Sequence, residues 1–202
     1  MKQQLIAAVL AAVAWVNPAL AARDVGVVYQ TTKGPINIII RPEWSPRGAE
    51  RFLQLVDAGH FNRVPFFRCL DGFLCQFGYP QSKAATKQWS AIADDPKQPA
   101  LRQFKRGYIS FAGAGPNTRT EHLFITLGDK VESLGTQPWE TPIGYVAPAS
   151  MQQTVSRFNM SYGDIPPWGK GPDPQKLQGT GAAEYLKQNF PALEYSQSCK
   201  RG

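Results

Sequence analysis

The sequence is short of charge, of cysteine and of long apolar segments, and each shortage excludes a class of protein. Charged residues make up 18% of the 202 residues, against a usual ~25%, so the net charge of +7 indicates a mildly basic surface and not a polybasic arm. Three cysteines cannot build the disulfide scaffold of a mini-protein. No long apolar run follows residue 16, which excludes a polytopic membrane protein.

Glycine and proline are abundant instead, and they limit the regular structure that the chain forms. The 18 glycines and 17 prolines exceed the usual combined share of about 12%, which favours short strands and many turns over long helices. The apolar fraction of 43% is enough for the core of one domain of ~100–200 residues. We therefore expect a folded, turn-rich protein of one domain.

Residues 1–21 have the pattern of a secretory signal. Lys2 supplies the positive charge, residues 5–16 are apolar, and residues 19–21 form an A-x-A cleavage site. As a helix the apolar run would extend ~18 Å, short of the ~30 Å hydrocarbon core of a bilayer; an uncleaved membrane anchor is the alternative. The signal predicts a secreted, lumenal or periplasmic protein. After cleavage we expect no membrane association, and export excludes nucleic acid as a partner despite the basic charge.

The apolar pattern of the remaining chain predicts short strands and few helices. Residues 25–41 contain two β-branched runs around a turn, which indicates a hairpin. A helix is predicted from Ser45 to Gly59, because serine followed by proline suits a helix start and glycine suits a helix end. A second helix is predicted from Pro148. This pattern favours a closed or sandwiched β-structure with helices as plugs. Further short elements are predicted as strands at 64–70, 73–77, 107–112, 122–127 and 141–147, and as a helix at 182–190.

Three segments carry a recognisable motif. Residues 66–78 (FFRCLDGFLCQFG) resemble the F-H-R-x-x-x-G-F-x-x-Q-G-G signature of the cyclophilins, which are peptidyl-prolyl cis-trans isomerases. Residues 107–118 (GYISFAGAGPNT) are similar to the family's G-x-x-S-M-A-x-x-G-P segment, and residues 122–126 (HLFIT) to its Q-F-F-I stretch. The resemblance implies a mainly β fold, a cyclophilin-like closed eight-stranded antiparallel β-barrel capped by two α-helices. The chain would then divide into a signal peptide (1–21), an isomerase domain (22–158) and a C-terminal extension without an assigned role (159–202).

The resemblance also assigns roles to individual residues. Arg68 would be the catalytic arginine, because its guanidinium can hydrogen-bond the prolyl nitrogen of a twisted amide and so stabilise the transition state. Gln76 would hold a backbone carbonyl of the substrate, and His122 stands where the family usually has glutamine. No cofactor and no metal are expected, since rotation about an amide bond requires neither. The other substrate-binding residues implied are an apolar pocket of Phe73, Leu74, Phe124 and Leu134 and a groove segment of Ala112 and Gly113.

Several positions depart from the family's pattern. Phe67 replaces the usual histidine beside the arginine. Segment 127–141 aligns only with an insertion, so the groove tryptophan has no aligned counterpart, although Trp139 is near, and the groove histidine falls near Glu140. We therefore expect isomerase activity at a reduced rate and weak binding of cyclosporin.

The function predicted from the resemblance is isomerisation of X-Pro bonds in exported or lumenal client proteins during folding. The expected partners are proline-containing peptides and unfolded or folding proteins, and the expected state is a monomer. One alternative is a catalytically weak or inactive proline-peptide binding module or chaperone that uses the same groove. A second alternative is an interaction protein that uses residues 159–202.

The cysteines and two polar motifs give further expectations. Export makes disulfides possible, and one hypothesis is a bridge from Cys199 to Cys69 or Cys75; the alternative is buried thiols and a free terminus. Asn159-Met160-Ser161 is a glycosylation sequon. A basic stretch consists of Lys97, Arg102, Lys105 and Arg106. We interpret it as a solvated loop; the alternative is that it guides acidic clients to the protein.

Overall fold

The chain folds as a closed β-barrel, which the computed structural model describes for residues 23–81, 89–137 and 139–202. The predicted signal peptide at 1–21 lies outside the described residues. The strands are β1 (Val25–Thr31), β2 (Gly34–Ile40), β3 (Val64–Cys69), β4 (Leu74–Phe77), β5 (Tyr108–Phe111), β6 (Leu123–Thr126), β7 (Gly144–Val146) and β8 (Tyr195–Arg201). All neighbours pair antiparallel, in the closed order β1-β2-β7-β5-β6-β4-β3-β8, which confirms the predicted barrel. Within the described ranges, no helix is long and apolar enough to cross a membrane.

The first hairpin follows directly from its sequence. β1 and β2 pair along their whole length, with Thr31 opposite Gly34 across the turn. Successive side chains of a strand point to opposite faces, and β-branched side chains pack well on such a surface. Ile36, Ile38 and Ile40 of β2 are accordingly buried in the barrel core.

Two helices plug the barrel and a third lies outside it. α1 (Pro46–Asp57) and α2 (Pro148–Gln153) both begin with proline, which the first helical turn accepts because its N–H groups have no partner within the helix. Both contribute to the main core, as Phe52 of α1 does. α3 (Ala182–Asn189) packs instead in a separate cluster that covers Phe67 on the outside of β3. The two predicted capping helices and the predicted helix at 182–190 are all confirmed.

The N-terminal cap of α1 differs from the one predicted. The Ser45 side chain accepts no hydrogen bond from the helix; its hydroxyl donates instead to the carboxylate of Asp95. That carboxylate accepts the backbone N–H groups of Arg47 and Gly48, both at 2.9 Å, and Arg119 Nη1 lies 3.1 Å from it. A negative charge is favourable at a helix N-terminus, so a carboxylate distant in sequence takes the role expected of serine.

Residues 159–202, to which the sequence assigned no role, close the barrel. Their last segment, β8, lies between β1 and β3 and pairs with both. Only Ser196 and Cys199 of this strand are buried, so its polar composition hides the apolar alternation by which strands are predicted. Residues 159–194 are therefore inserted between α2 and the final barrel strand.

The cysteine pairing differs from the expected bridge to the tail. Cys69 and Cys75 are bonded to each other as a disulfide, and Cys199 is a buried free thiol. The reason is strand register: Cys69 and Cys75 are directly opposite on β3 and β4, whereas Cys199 lies opposite Tyr29 on β1. Burial raises the pKa of the Cys199 thiol to about 12, so this thiol is protonated and unreactive at neutral pH.

Candidate active site

An arginine and a glutamine lie side by side on the outside of the barrel. Arg68 on β3 is opposite Gln76 on β4, and Arg68 Nη1 donates to Gln76 Oε1 at 3.4 Å. The register shifts between Phe66 and Arg68, which makes Phe67 the extra residue of a bulge. Bulges often re-aim a side chain next to a functional site, and here Phe67 and Arg68 both lie outside the barrel core, with Phe67 buried beneath the cluster around α3.

An apolar cluster lies beside this pair and contains residues predicted for the proline pocket. Phe124 on β6 is opposite Gln76, and the Arg68 guanidinium lies 6.0 Å from the centre of the Phe73 ring. The arginine, the glutamine and the apolar cluster are therefore contiguous. Predicted residues that the structure brings together in this cluster are Phe73, Leu74, Ala112, Phe124 and Leu134.

Other members of the same cluster were not predicted from the sequence. Phe104 is fully buried, and its ring stacks on that of Phe124 at a centroid distance of 6.0 Å. It lies in the long stretch before β5, where no hydrophobic period indicated an element. Val131, Tyr108 and Leu70 belong to the cluster as well. Leu70 and Tyr108 lie in predicted strands and Val131 in segment 127–141, and only the tertiary fold brings them together.

Two residues of the predicted basic stretch fasten the loop that carries Leu134. Lys97 Nζ lies 3.4 Å from the carbonyl oxygen of Gly135, and Arg106 Nη1 donates to the carbonyl oxygen of Leu127 at 2.6 Å. Both side chains thus bind backbone carbonyls of the segment between β6 and β7. These two cations support the loop that carries Leu134, which the interpretation as a solvated loop did not anticipate.

The insertion-like loop before β7 is closed by Glu140 and carries Trp139 onto the groove. Glu140 Oε2 accepts the backbone N–H groups of Gly135 at 2.8 Å and Gln137 at 3.2 Å. The Trp139 ring lies so close to Gly113 that a Cβ there would be 2.6 Å from Trp139 Cδ1. Glycine at 113 therefore makes room for an indole ring beside the groove segment, and the carboxylate of Glu140 is occupied by its own loop.

The environments of Phe67 and His122 explain two departures from the family pattern. Phe67 is buried in a cluster with Leu186 of α3 and Ile165, so the inserted segment covers the position where the family has histidine. The His122 ring packs on Tyr79 at a centroid distance of 4.2 Å, and burial lowers the pKa of His122 to about 4. His122 is therefore neutral at physiological pH, and its contact with substrate stays a prediction.

A residue that the sequence analysis did not single out binds Arg68 directly. Asp164 Oδ1 accepts from Arg68 Nε at 2.6 Å, and Asp164 Oδ2 accepts from Nη2 at 3.2 Å. The hydrogen bond from Arg68 is the main reason why the pKa of Asp164 is lowered. Asp164 lies in the turn-rich insertion after α2, where nothing in the local sequence distinguishes it from a solvated turn residue.

Comparison with known proteins identifies the family. The family model described as "Cyclophilin type peptidyl-prolyl cis-trans isomerase/CLD" matches residues 27–166. The chain belongs to the cyclophilin-type peptidyl-prolyl cis-trans isomerases. This cyclophilin is 35% identical over 115 residues to peptidyl-prolyl cis-trans isomerase-like 3 of Gibberella zeae, covering 54% of this chain and 68% of that protein. It is 35% identical over 104 residues to the protein of the same description from Gallus gallus, covering 50% and 65%.

Solved structures agree on the fold of this cyclophilin. The crystal structure of a cyclophilin type peptidyl-prolyl cis-trans isomerase of Cryptosporidium parvum matches with a TM-score of 0.57 and 18% identity, covering 89% of this chain and 98% of that chain. A structure of that isomerase in the presence of the dipeptide Ala-Pro matches with a TM-score of 0.55. The family match of this cyclophilin ends at residue 166; it includes Asp164 and leaves α3 and β8 outside.

Proposed function

We propose that this cyclophilin catalyses cis–trans rotation about X-Pro peptide bonds in exported or lumenal client proteins. The observation that carries the proposal is the contiguity of Arg68, Gln76 and the apolar cluster around Phe124. This arrangement offers charged donors, an amide and apolar side chains next to one another on one face of the barrel. A proline ring, its peptide nitrogen and a neighbouring carbonyl require these three elements together.

The chemistry follows from the electronic structure of the amide. Rotation is slow because conjugation of nitrogen with the carbonyl imposes a barrier of ~18–20 kcal/mol. At the twisted geometry the conjugation is lost and the nitrogen lone pair becomes a better hydrogen-bond acceptor. A guanidinium donor that meets this lone pair stabilises the transition state more than the planar ground state, which is the condition for catalysis. Arg68 supplies that donor without proton transfer, since its charge is permanent.

Gln76 is suited to hold the substrate backbone. Its Oε1 accepts from Arg68, which leaves the Nε2 amide hydrogens to donate to a substrate carbonyl. Fixing that carbonyl while Arg68 engages the prolyl nitrogen restricts rotation to the reacting bond. The buried side chains of Leu74, Phe124 and Leu134 give the proline ring an apolar seat from which water is excluded.

A protease-coupled peptide assay tests the proposal. We expect wild-type turnover of an Ala-Pro peptide and a fall in kcat/KM of about 10²–10³-fold in Arg68→Ala, the range for loss of one donor to a transition state. Arg201→Ala is the matched control, because Arg201 also pairs with an aspartate, Asp57, on the barrel surface. Equal turnover of Arg68→Ala and wild type would refute the assignment.

The alternative of a proline-peptide binding module is favoured by the position of Glu140. The family resemblance predicts a histidine near this position. Glu140 stands there instead, and its carboxylate binds backbone N–H groups of its own loop. Peptide binding that depends on Leu134, together with no measurable wild-type turnover, would establish the binding module and exclude the isomerase.

We expect weak binding of cyclosporin for a related reason. No tryptophan aligns with the groove tryptophan of the family, and Trp139 reaches the groove from a different chain position, against Gly113. Titration calorimetry with cyclosporin measures this directly. A nanomolar Kd would show that Trp139 replaces the missing donor.

The export part of the proposal depends on residues 1–21 alone. Fusion of these residues to a reporter enzyme that is active only after export tests it. We expect export of the fusion, and loss of export when the apolar run at 5–16 is interrupted by two aspartates. Retention of the unaltered fusion in the cytosol would refute the export proposal and leave the isomerase proposal intact.

A further inference from the structure

The Arg68 guanidinium is held along one edge. Nε and Nη2 both donate to the Asp164 carboxylate, at 2.6 Å and 3.2 Å. This is the bidentate fork geometry in which the planar guanidinium matches a carboxylate. The other edge, formed by Nη1 and the second Nη2 hydrogen, is left for other acceptors, and Gln76 lies at 3.4 Å from Nη1. The ion pair thus fixes the guanidinium plane without occupying all its donors.

The carboxylate that holds Arg68 is itself anchored. Asp164 Oδ1 accepts the backbone N–H of Ile165 at 2.7 Å, and the carbonyl of Asp164 accepts the N–H of Gly171 at 2.8 Å. The neighbouring side chain of Ile165 packs in the cluster around Phe67 and α3. Asp164 is therefore attached to the same cluster that covers the residue next to Arg68.

The edge of the guanidinium that Asp164 leaves free lies beside Gln76, and the guanidinium is next to the apolar cluster around Phe124. Its central carbon lies 6.0 Å from the centre of the Phe73 ring, and the Arg68 side chain retains 19% exposure. A carboxylate that blocked the site would bind the edge shared with Gln76. Asp164 binds the opposite edge, which leaves the donors beside Gln76 and Phe73 available to a substrate.

We propose that Asp164 is a positioning residue of the isomerase reaction, which holds the Arg68 guanidinium in the plane where its free edge meets the prolyl nitrogen. The inference rests on the proposed function. Arginine is a flexible side chain, and a catalytic group held in its reactive geometry before substrate binds accelerates the chemical step. The insertion between α2 and β8 thereby supports the catalytic arginine as well as covering Phe67.

The test combines kinetics with a direct observation of Arg68. In the full chain, we expect Asp164→Asn to lower kcat/KM for an Ala-Pro peptide about 10-fold, mainly in kcat, because the interaction acts on the transition state and not on ground-state binding. In the Arg68→Ala background the same change should have no further effect. The Arg68 Nε–H resonance in ¹⁵N NMR should shift and exchange faster with water in Asp164→Asn. Asp173→Asn, in the same insertion, is the control, because Asp173 caps a short turn through Gln175.

Each outcome separates this inference from the proposed function. An active wild type with unchanged kcat in Asp164→Asn would overturn the positioning role and leave the isomerase assignment standing. A rise in kcat would also overturn it, since the carboxylate would then restrain turnover. An inactive wild type would overturn both, and an unchanged Arg68 Nε–H resonance would show that the ion pair does not hold Arg68 in solution. A parallel loss of activity and thermal stability in Asp164→Asn and Asp173→Asn would indicate a structural role only.

Discussion

Two arginine–carboxylate clusters on this barrel differ in burial and in what surrounds them. Arg119 is completely buried under α1, with Asp95 at 3.1 Å and Asp94 at 3.3 Å. Arg68 pairs with Asp164 at 2.6 Å and keeps 19% of its side chain exposed beside the apolar cluster around Phe124. Both guanidinium groups have acidic partners, so the presence of an ion pair does not distinguish them.

The two arginines differ in how much of the guanidinium solvent or a substrate can reach. Arg119 donates to Asp95, to the Ser45 hydroxyl and to the carbonyl of Ala93, and no part of its side chain reaches solvent. It joins the start of α1 to the stretch before β5. Arg68 is bound to Asp164 along one edge, lies beside Gln76 along the other, and keeps 19% of its side chain exposed. An arginine without solvent exposure can only stabilise the fold, whereas one that keeps 19% of its side chain exposed can bind a substrate.

The largest effect on stability is expected from Asp95→Ala. The substitution removes the cap of α1 and leaves the Arg119 guanidinium buried without its nearest carboxylate, and breaking a buried pair in this way costs about 3–5 kcal/mol. For a chain of this size the melting temperature should fall by on the order of 10 °C. Urea unfolding and calorimetry measure both quantities.

The control for this prediction is the neighbouring carboxylate. The Asp94 side chain is 14% exposed, so Asp94→Asn should lower the free energy of unfolding by less than Asp95→Ala does. The kcat/KM of folded Asp95→Ala, measured well below its melting temperature, should equal that of wild type, because the hydrogen bonds of Asp95 join it to the start of α1 and to Arg119, outside the candidate site. A stable Asp95→Ala protein with impaired turnover would reverse the roles assigned to the two clusters.

A smaller effect is expected from removal of the disulfide beside Arg68. Cys69 and Cys75 follow the Arg68–Gln76 pair along the β3–β4 ladder, so the bond closes the hairpin that carries the candidate catalytic residues. Closing so short a loop contributes about 2 kcal/mol, and the variant Cys69→Ser/Cys75→Ser should lose that much in free energy of unfolding. Mass spectrometry after alkylation of the denatured, unreduced protein should find one alkylated thiol, on Cys199. Three alkylated thiols would contradict the pairing.

The elements that could be predicted from the sequence are those determined by neighbouring residues. The alternation of isoleucines in β2 and the proline and glycine around α1 depend only on local conformational preference. β8 could not be predicted, because its polar residues lack a hydrophobic period and the strand exists through pairing with β1 and β3. The disulfide likewise depends on the register of two strands, which the cysteine spacing alone leaves open.

The residues of the candidate site likewise fall into those that could be predicted from the sequence and those that could not. Arg68, Gln76 and Phe124 lie in contiguous motifs, so the resemblance places them directly. Asp164 and Phe104 come from segments without a period, and only long-range packing brings them to the site. The N-terminal cap of α1 could not be predicted for the same reason. Ser45 stands at the expected position in the sequence, but the carboxylate of Asp95, distant in sequence, accepts the N–H groups of the first helical turn.

The pH dependence of stability should show the contribution of Asp95 in isolation. Burial alone would raise the pKa of Asp95, but the hydrogen bonds from Ser45, Arg47 and Gly48 and the charge of Arg119 lower it overall. The pKa in the unfolded chain is ~3.9, so the stabilisation is complete above about pH 5 and is lost as the pH falls through the lower folded value. The difference in unfolding free energy between wild type and Asp95→Asn should therefore be constant from about pH 5 to 8 and shrink below about pH 4.

The difference between the two proteins is the appropriate quantity because other groups also titrate in acid. Burial lowers the pKa of His60 and of His122, and Asp164 has a lowered pKa as well. These groups are present in both proteins and cancel when one curve is subtracted from the other. A difference that stays constant down to pH 2.5 would show that Asp95 contributes nothing through its charge.

The smallest effect is expected from a third arginine–aspartate pair, between β8 and the end of α1. Arg201 Nε donates to Asp57 Oδ1 at 2.7 Å and Nη2 binds Oδ2, the same fork that Asp164 forms with Arg68. The side chains are 45% and 53% exposed, and in such a pair solvent screening and the cost of ordering two side chains offset most of the attraction. Asp57→Asn should leave the melting temperature and kcat/KM unchanged. Because the fork geometry matches that of Arg68 and Asp164, a loss of stability like that of Asp95→Ala would show that geometry, and not burial, determines what these pairs contribute.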